Sequence, residues 1–257
     1  MIPAMSLATP ISAKVDGPSG RVARPSVIVP VGPGDQSWRA LADDLSGCDL
    51  AEVVFAAADP MPTNFPSRVE TADATVTWTA GPIGRGRQLN AGAATADGDL
   101  LLFVHADSRI GPAAVDAIAA RVDAEPDTLH FLRLRFAADG PASVGWNERG
   151  ARFRSERLGL PFGDQCFGMS RALFERLGRF DETCRYGEDH LLVWAAHRAG
   201  IPVRVVDAPA AEVVTSARRY RDSGWLRTTA KHVALTVAQA APQLAMLARD
   251  RLTGRRP

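Results

Sequence analysis

The first strong pattern along the chain is Ser26-Val27-Ile28-Val29-Pro30-Val31. It is short, β-branched and nearly all apolar, so it predicts a strand buried on both faces. Gly32-Pro33-Gly34-Asp35 breaks the run, and Asp35 or Ser37 can cap a helix over Trp38–Leu45. A second buried strand is predicted over Glu52–Ala57 and a weaker third over 74–79. The turn Gly84-Arg85-Gly86-Arg87 leads into a predicted helix over 88–96, and Asp97-Gly98-Asp99 turns the chain into an apolar strand over 100–104. Strands alternating with helices predict an α/β domain with a mostly parallel sheet flanked by helices on both faces.

After residue 105 the pattern loosens. It predicts a helix over Pro112–Ala124, one strand over 128–136 and an irregular, polar, arginine-rich stretch over 146–165. Helices follow over 171–177 and 188–199, then a strand over 203–206. From Trp225–Leu252 the apolar residues recur at helical spacing, and Pro242 splits them into two short helices. Residues 1–24 mix Pro, Gly, Ser and Ala without periodicity and read as a flexible tail. The organisation is therefore a tail over 1–24, one domain over 25–222 and a helical extension over 223–257.

Composition narrows the function classes. The chain has 257 residues, 46% hydrophobic and 23% charged, enough for one large domain with a real core. Its formal net charge of +1 gives no global field to recruit nucleic acid, so anion binding falls to local arginine clusters. Cys48, Cys166 and Cys184 are widely spaced with no C-x-x-C, which argues against a disulfide framework or zinc site and for a reducing compartment. No apolar run reaches the length of a membrane span and no signal peptide is read, so the expected location is cytoplasmic.

Four constellations can carry chemistry. His105-Ala106-Asp107 follows an apolar strand directly, and ligands of open α/β sheets collect at the carboxyl ends of strands. Asp107 can hold a divalent cation against a diphosphate, with His105 as second ligand, or it can simply cap the next turn. Gly84-Arg85-Gly86-Arg87 offers two guanidiniums and a helix start to phosphate oxygens, or is a solvated basic turn. In Gly187-Glu188-Asp189 one carboxylate can act as a general base, or both acids can merely complement a helix dipole. Ser216-Ala217-Arg218-Arg219-Tyr220-Arg221 is a cationic turn able to close over a leaving diphosphate.

The order of these segments resembles that of the family 2 glycosyltransferases. The likeness rests on S-V-I-V-P-V, G-R-G-R-Q-L-N-A-G-A-A, D-L-L-L-F-V-H-A-D-S-R, P-F-G-D-Q-C-F, G-E-D-H-L-L and T-S-A-R-R-Y, from residue 26 to about 229. It looks closest to a bacterial subgroup of radical-SAM/selenodomain-associated transferases. The resemblance implies a GT-A, Rossmann-like nucleotide-diphospho-sugar transferase fold and an inverting, metal-assisted transfer to an acceptor hydroxyl. It implies that Asp189 is the base beside Glu188, and that Asp107 and His105 hold manganese or magnesium. Pro30, Asp59, Arg85, Arg87, Asn90, Arg218 and Arg219 fall on the donor side, and Asp164 and Gln165 on the acceptor side. Like-charge repulsion from Glu188 is expected to raise the pKa of Asp189.

The family's N-E pair after the first strand is replaced by Gly32-Pro33-Gly34-Asp35, and its D-D-G-S-type turn by Ala56-Ala57-Ala58-Asp59-Pro60. Two alternatives stay open: a sugar-nucleotide-binding module without turnover, and a nucleotidyltransferase. The extension carries Arg227, Lys231, Arg249, Arg251, Arg255 and Arg256 among apolar positions, with Asp250 its one acid. It can pack on the domain, pair with a second subunit, or lie on the inner membrane face beside a lipid-linked acceptor.

Overall fold

The structure, a computed structural model, describes residues 23–63, 65 and 74–252. The predicted tail over 1–24 falls almost wholly outside the described residues. Strands β1 (Ser26–Val31), β2 (Glu52–Ala57), β3 (Thr75–Ala80), β4 (Leu100–Phe103), β6 (Leu129–Phe131), β8 (Phe167–Ser170) and β9 (Val203–Val205) form one sheet in the order β3-β2-β1-β4-β8-β6-β9. All neighbours run parallel except β8, which is antiparallel to both β4 and β6. A smaller sheet pairs β5 (Ser108–Arg109), β10 (Glu212–Thr215) and β7 (Arg133–Phe136) in the order β5-β10-β7.

The strand period of two sorts the core into two layers. Val27, Val29 and Val31 pack on one face with α1 (Trp38–Leu45) and α3 (Pro112–Ala124), while Ile28 packs on the other. That second face holds α2 (Arg85–Thr95), α5 (Arg171–Arg176) and α6 (Glu188–Arg198). Gly92 lets α2 lie flat on the sheet, because a Cβ there would come within 2.5 Å of Ile28 Cγ2.

Four sequence readings are corrected. The predicted strand over 128–136 is two strands in different sheets. Leu132 between them leaves the ladder to donate to Gln165 O at 2.8 Å and accept from Gln165 Nε2 at 3.2 Å. The stretch expected to be irregular contains α4 (Val144–Leu158), whose buried positions are only Val144, Ala151 and Ser155, too few to print an apolar period. Helix α2 begins three residues earlier than predicted, because Gly84 turns the chain with φ 135°. Beyond the short helix α7 (Arg218–Ser223), α8 runs unbroken as Trp225–Leu252 through Pro242. Pro242 and Ala238, the residue whose carbonyl loses its donor, are both exposed, so water can take that carbonyl.

Candidate active site

The carboxyl ends of β1 and β4 open into a cavity of about 1090 Å³, bounded opposite by α4, α7 and α8. Pro30, Arg85, His105, Asp107, Asp164, Asp189, Arg218 and Arg219 line it together. Residues far apart in sequence therefore meet where sheet topology predicts a ligand.

Helix α2 is fixed over the strand ends by Gln88, which donates from Nε2 to Val31 O at 2.6 Å and Ala56 O at 3.0 Å. This seats Arg85 against α6: its Nε meets the Glu188 carboxylate, and its Nη2 lies 3.5 Å from Asp189 Oδ1. Asp189 Oδ2 accepts the Gly163 N–H at 2.6 Å. Burial alone would raise the Asp189 carboxyl. Arg85, the Gly163 N–H and His105 outweigh it and hold the group below the usual carboxylate range. The expected elevation by Glu188 is thus overturned, because Arg85 binds both acids and its charge dominates.

His105 and Asp107 leave β4 on a turn closed by Ser108 N and His105 O at 3.0 Å. Burial, with Arg85 and Arg219 adding, pushes the His105 imidazole down to about 4 against the pull of Asp107 and Asp189. It is uncharged at neutral pH and able to ligate. No three His, Cys, Asp or Glu side chains converge into a metal-holding group among the described residues. The donor set is one carboxylate and one neutral imidazole lining the same cavity, which fits partial coordination of a divalent cation and not a protein cage.

Other predicted residues sit elsewhere. Arg87 is exposed and does not line the cavity. Asn90 is spent on Phe180, donating to its O at 2.9 Å and accepting from its N at 3.0 Å, and on Glu182 at 2.8 Å. Asp59 accepts the Gly34 N–H at 2.7 Å and so fixes the loop after β1 without lining the cavity. Gln165 braces the turn through Leu132 O and the Phe162 N–H, the latter at 3.2 Å, and is also off the wall. Glu188 lies behind Asp189, outside the lining.

Sequence reasoning missed Gln88, Arg154 and the wall made by α8. Arg154 stands with its guanidinium 3.3 Å from the Phe162 ring centroid and donates to Leu160 O. Its place on a polar helix gave no signal. Helix α8 is tied to the rest by Gln239, which meets His190 Nδ1 at 3.2 Å and Tyr186 O at 2.6 Å. Trp225 Nε1 donates to Asn147 Oδ1 at 2.5 Å, and Asn147 Nδ2 to Thr229 Oγ1 at 3.0 Å. Asp139 holds the start of α7 through Ser216 Oγ at 2.6 Å and Ala217 N at 2.7 Å, which sets Arg218 and Arg219 on the wall.

No protein-family model and no curated protein matches the chain. Solved structures do. A mannosyltransferase from Pyrobaculum calidifontis in complex with GDP-Man and Mn2+ is 20% identical with TM-score 0.58, over 86% of this chain and 65% of that one. S. aureus TarS 1-349 in complex with UDP-GlcNAc is 17% identical with TM-score 0.57, over 76% and 59%. GalNAc-T7 with UDP, GalNAc and Mn2+ is 12% identical with TM-score 0.54, over 77% and 44%. The chain thus spans less than two thirds of each of these neighbours. The likeness shows the fold, a GT-A α/β fold with a mostly parallel sheet flanked by helices.

Proposed function

We propose that this protein moves a sugar from a nucleotide-diphospho-sugar to an acceptor hydroxyl with inversion. The observation that carries the reading is that Arg85, Arg218 and Arg219 line one cavity together with Asp107, His105, Asp164 and Asp189. Asp107 and His105 are the residues that would hold a manganese or magnesium ion, which when bound neutralises charge on a leaving diphosphate. Arg218 and Arg219 offer fixed positive charge from the opposite wall. A cavity carboxylate receives the acceptor proton, Asp189 being the sequence expectation. The radical-SAM/selenodomain-associated subgroup and a cytoplasmic location belong to this same reading.

Calorimetry tests it. UDP or GDP is expected to bind the wild type more tightly with manganese, and Asp107→Ala to lose that increment while keeping metal-free binding. Equal losses with and without manganese would make Asp107 a turn cap. Binding by a chain that never turns a donor over would favour the non-catalytic module.

The extension adds a surface. Among the described residues no helix is long and apolar enough to cross a membrane. Leu226, Val233, Val237 and Leu244 are nonetheless exposed on α8. Spacings of seven, four and seven put them within about 20° of one line along the helix. Val233 and Val237 also line the cavity mouth. With Arg227, Lys231 and Arg249 on the same helix, we place this stripe against an anionic membrane surface that presents a lipid-linked acceptor.

A further inference from the structure

Resting on the glycosyl-transfer reading, we propose that the acceptor carries an oxyanion, a phosphate or carboxylate, near its reacting hydroxyl, and that Arg154 and Lys231 recognise it. Helices α4, α7 and α8 bring Arg154, Arg218, Arg219 and Lys231 to the cavity. The one acid that these helices add among the described residues is Asp222, which pairs with Arg221 at 2.9 Å. Arg218 and Arg219 are assigned to the leaving diphosphate. Arg154 and Lys231 are left over, and no carboxylate among the described residues stands within 4.0 Å of either.

Arg154 is held ready for such a partner. Its guanidinium lies 3.3 Å from the Phe162 ring centroid, and Nη1 donates to Leu160 O. Stacking occupies the flat side of the group and leaves its in-plane N–H donors available. Nε and Nη2 have no partner among the described residues, and neither is shut from solvent. Together they form the fork that binds an oxyanion through two hydrogen bonds. A half-buried cation costs desolvation until it is paired. Burial holds the guanidinium below its ordinary pKa, and Asp164 and Asp189, acting through space, offset only part of that.

Both cations belong to the surroundings of Asp189. Phe162, which carries Arg154, precedes Gly163, and Gly163 N donates to Asp189 Oδ2 at 2.6 Å. The same ring meets His190 edge-on, with centroids 5.3 Å apart. Lys231 Nζ is 5.9 Å from the centroid of the Tyr186 ring, and Tyr186 stands three residues before Asp189. A molecule that presents a hydroxyl to Asp189 has these two cations as neighbours. An oxyanion on that molecule supplies the counter-charge that both lack.

The test titrates inorganic phosphate by calorimetry into the full chain saturated with magnesium and UDP or GDP, so that the donor's own anion sites are filled. Wild type, Arg154→Gln, Arg154→Lys and Lys231→Gln are compared for phosphate binding, nucleotide binding and thermal unfolding. Arg154→Gln is expected to weaken phosphate about 10-fold or more, the loss of a charged hydrogen-bonded pair, and to leave nucleotide affinity unchanged. Arg154→Lys should recover part of the loss, because it restores the charge and not the fork. Lys231→Gln, at an exposed position, should weaken phosphate about threefold without touching the fold. The same oxyanion can belong to a soluble compound or to a lipid headgroup. Loss of sedimentation with phosphatidylglycerol vesicles in Arg154→Gln would support the headgroup, and sedimentation retained beside lost phosphate binding would support a soluble acceptor.

No phosphate binding by the nucleotide-loaded wild type overturns the proposal alone. So does Arg154→Gln that binds phosphate like the wild type, or that loses nucleotide and phosphate equally, which would make Arg154 a donor residue. If Arg154→Gln does not fold, Lys231→Gln decides, and phosphate binding unchanged in it overturns the proposal. A wild type that binds neither UDP nor GDP sinks the transfer reading and this acceptor site with it.

Discussion

Arg85→Ala is expected to cost both stability and turnover. Arg85 bridges the buried Glu188 and Asp189, and its loss leaves two adjacent carboxylates without their common cation. Breaking a fully buried pair costs about 3–5 kcal/mol. Arg85 is 40% exposed, so solvent screening discounts the figure to about 1–2 kcal/mol. The pH dependence follows from Asp189, whose carboxyl is held below its usual range largely by Arg85. Stability from such a depressed acid is present above its unfolded value, about 3.9, and is lost as pH falls through its folded value. The deficit of Arg85→Ala is therefore largest near neutral pH and narrows as the pH falls toward 4 and below. Denaturant melts at several pH values check this; a constant deficit would mean that Arg85 acts by packing alone. Nucleoside diphosphate release should fall about 100-fold, as for removal of a preorganised charge stabiliser. Arg85→Lys should recover little, because a point charge cannot serve both carboxylates as the guanidinium fork does.

Helix α8 gives the second large effect. The intact chain is expected to sediment with anionic vesicles and not with neutral ones. The double change Val233→Asp, Val237→Asp should abolish sedimentation while leaving the fold intact, since both side chains are more than half exposed at 57% and 61%. Removing everything from Trp225 is a different matter. That truncation strips Gln239 from His190 and Tyr186, and Trp225 from Asn147, so it opens the cavity and lowers thermal stability. If the double variant still sediments, the stripe is not the contact. If instead it turns a dimer into a monomer without any vesicle binding by the wild type, the surface belongs to a second copy of the chain.

Much of the fold was legible because its strands are buried on both faces. Ser26–Val31 and Glu52–Ala57 are apolar after their first residue, and β1 and β2 take those bounds. Helices with a plain apolar face, Trp38–Leu45 and Pro112–Ala124, were equally readable. The second half hid its elements for a physical reason. Helix α4 buries three residues and lends a polar face to the cavity, so its sequence looks like a loop. Strand β8 has four residues and takes its place only through long-range antiparallel pairing with β4 and β6. The chemistry-bearing segments were visible as motifs, but what each residue does in them was not. Arg85 and Arg87 look alike in sequence, yet a separation of two residues, about 200° around the helix, sends the first to Glu188 and the second to solvent. Asn90 and Gln165 sit inside motifs and spend their amides on backbone. Arg154, in no motif, reaches the cavity wall.

The central claim is that this cavity breaks the bond between a sugar and a nucleoside diphosphate. It is tested most directly by incubating the full chain with UDP- and GDP-sugars, with manganese and without, and following free nucleoside diphosphate together with the anomeric configuration of the sugar product by NMR. The account predicts release from at least one donor, faster with manganese, lost in Arg85→Ala, and yielding a product of inverted configuration. Tight nucleotide binding with no release from any donor, or release that is unchanged in Arg85→Ala, would contradict it.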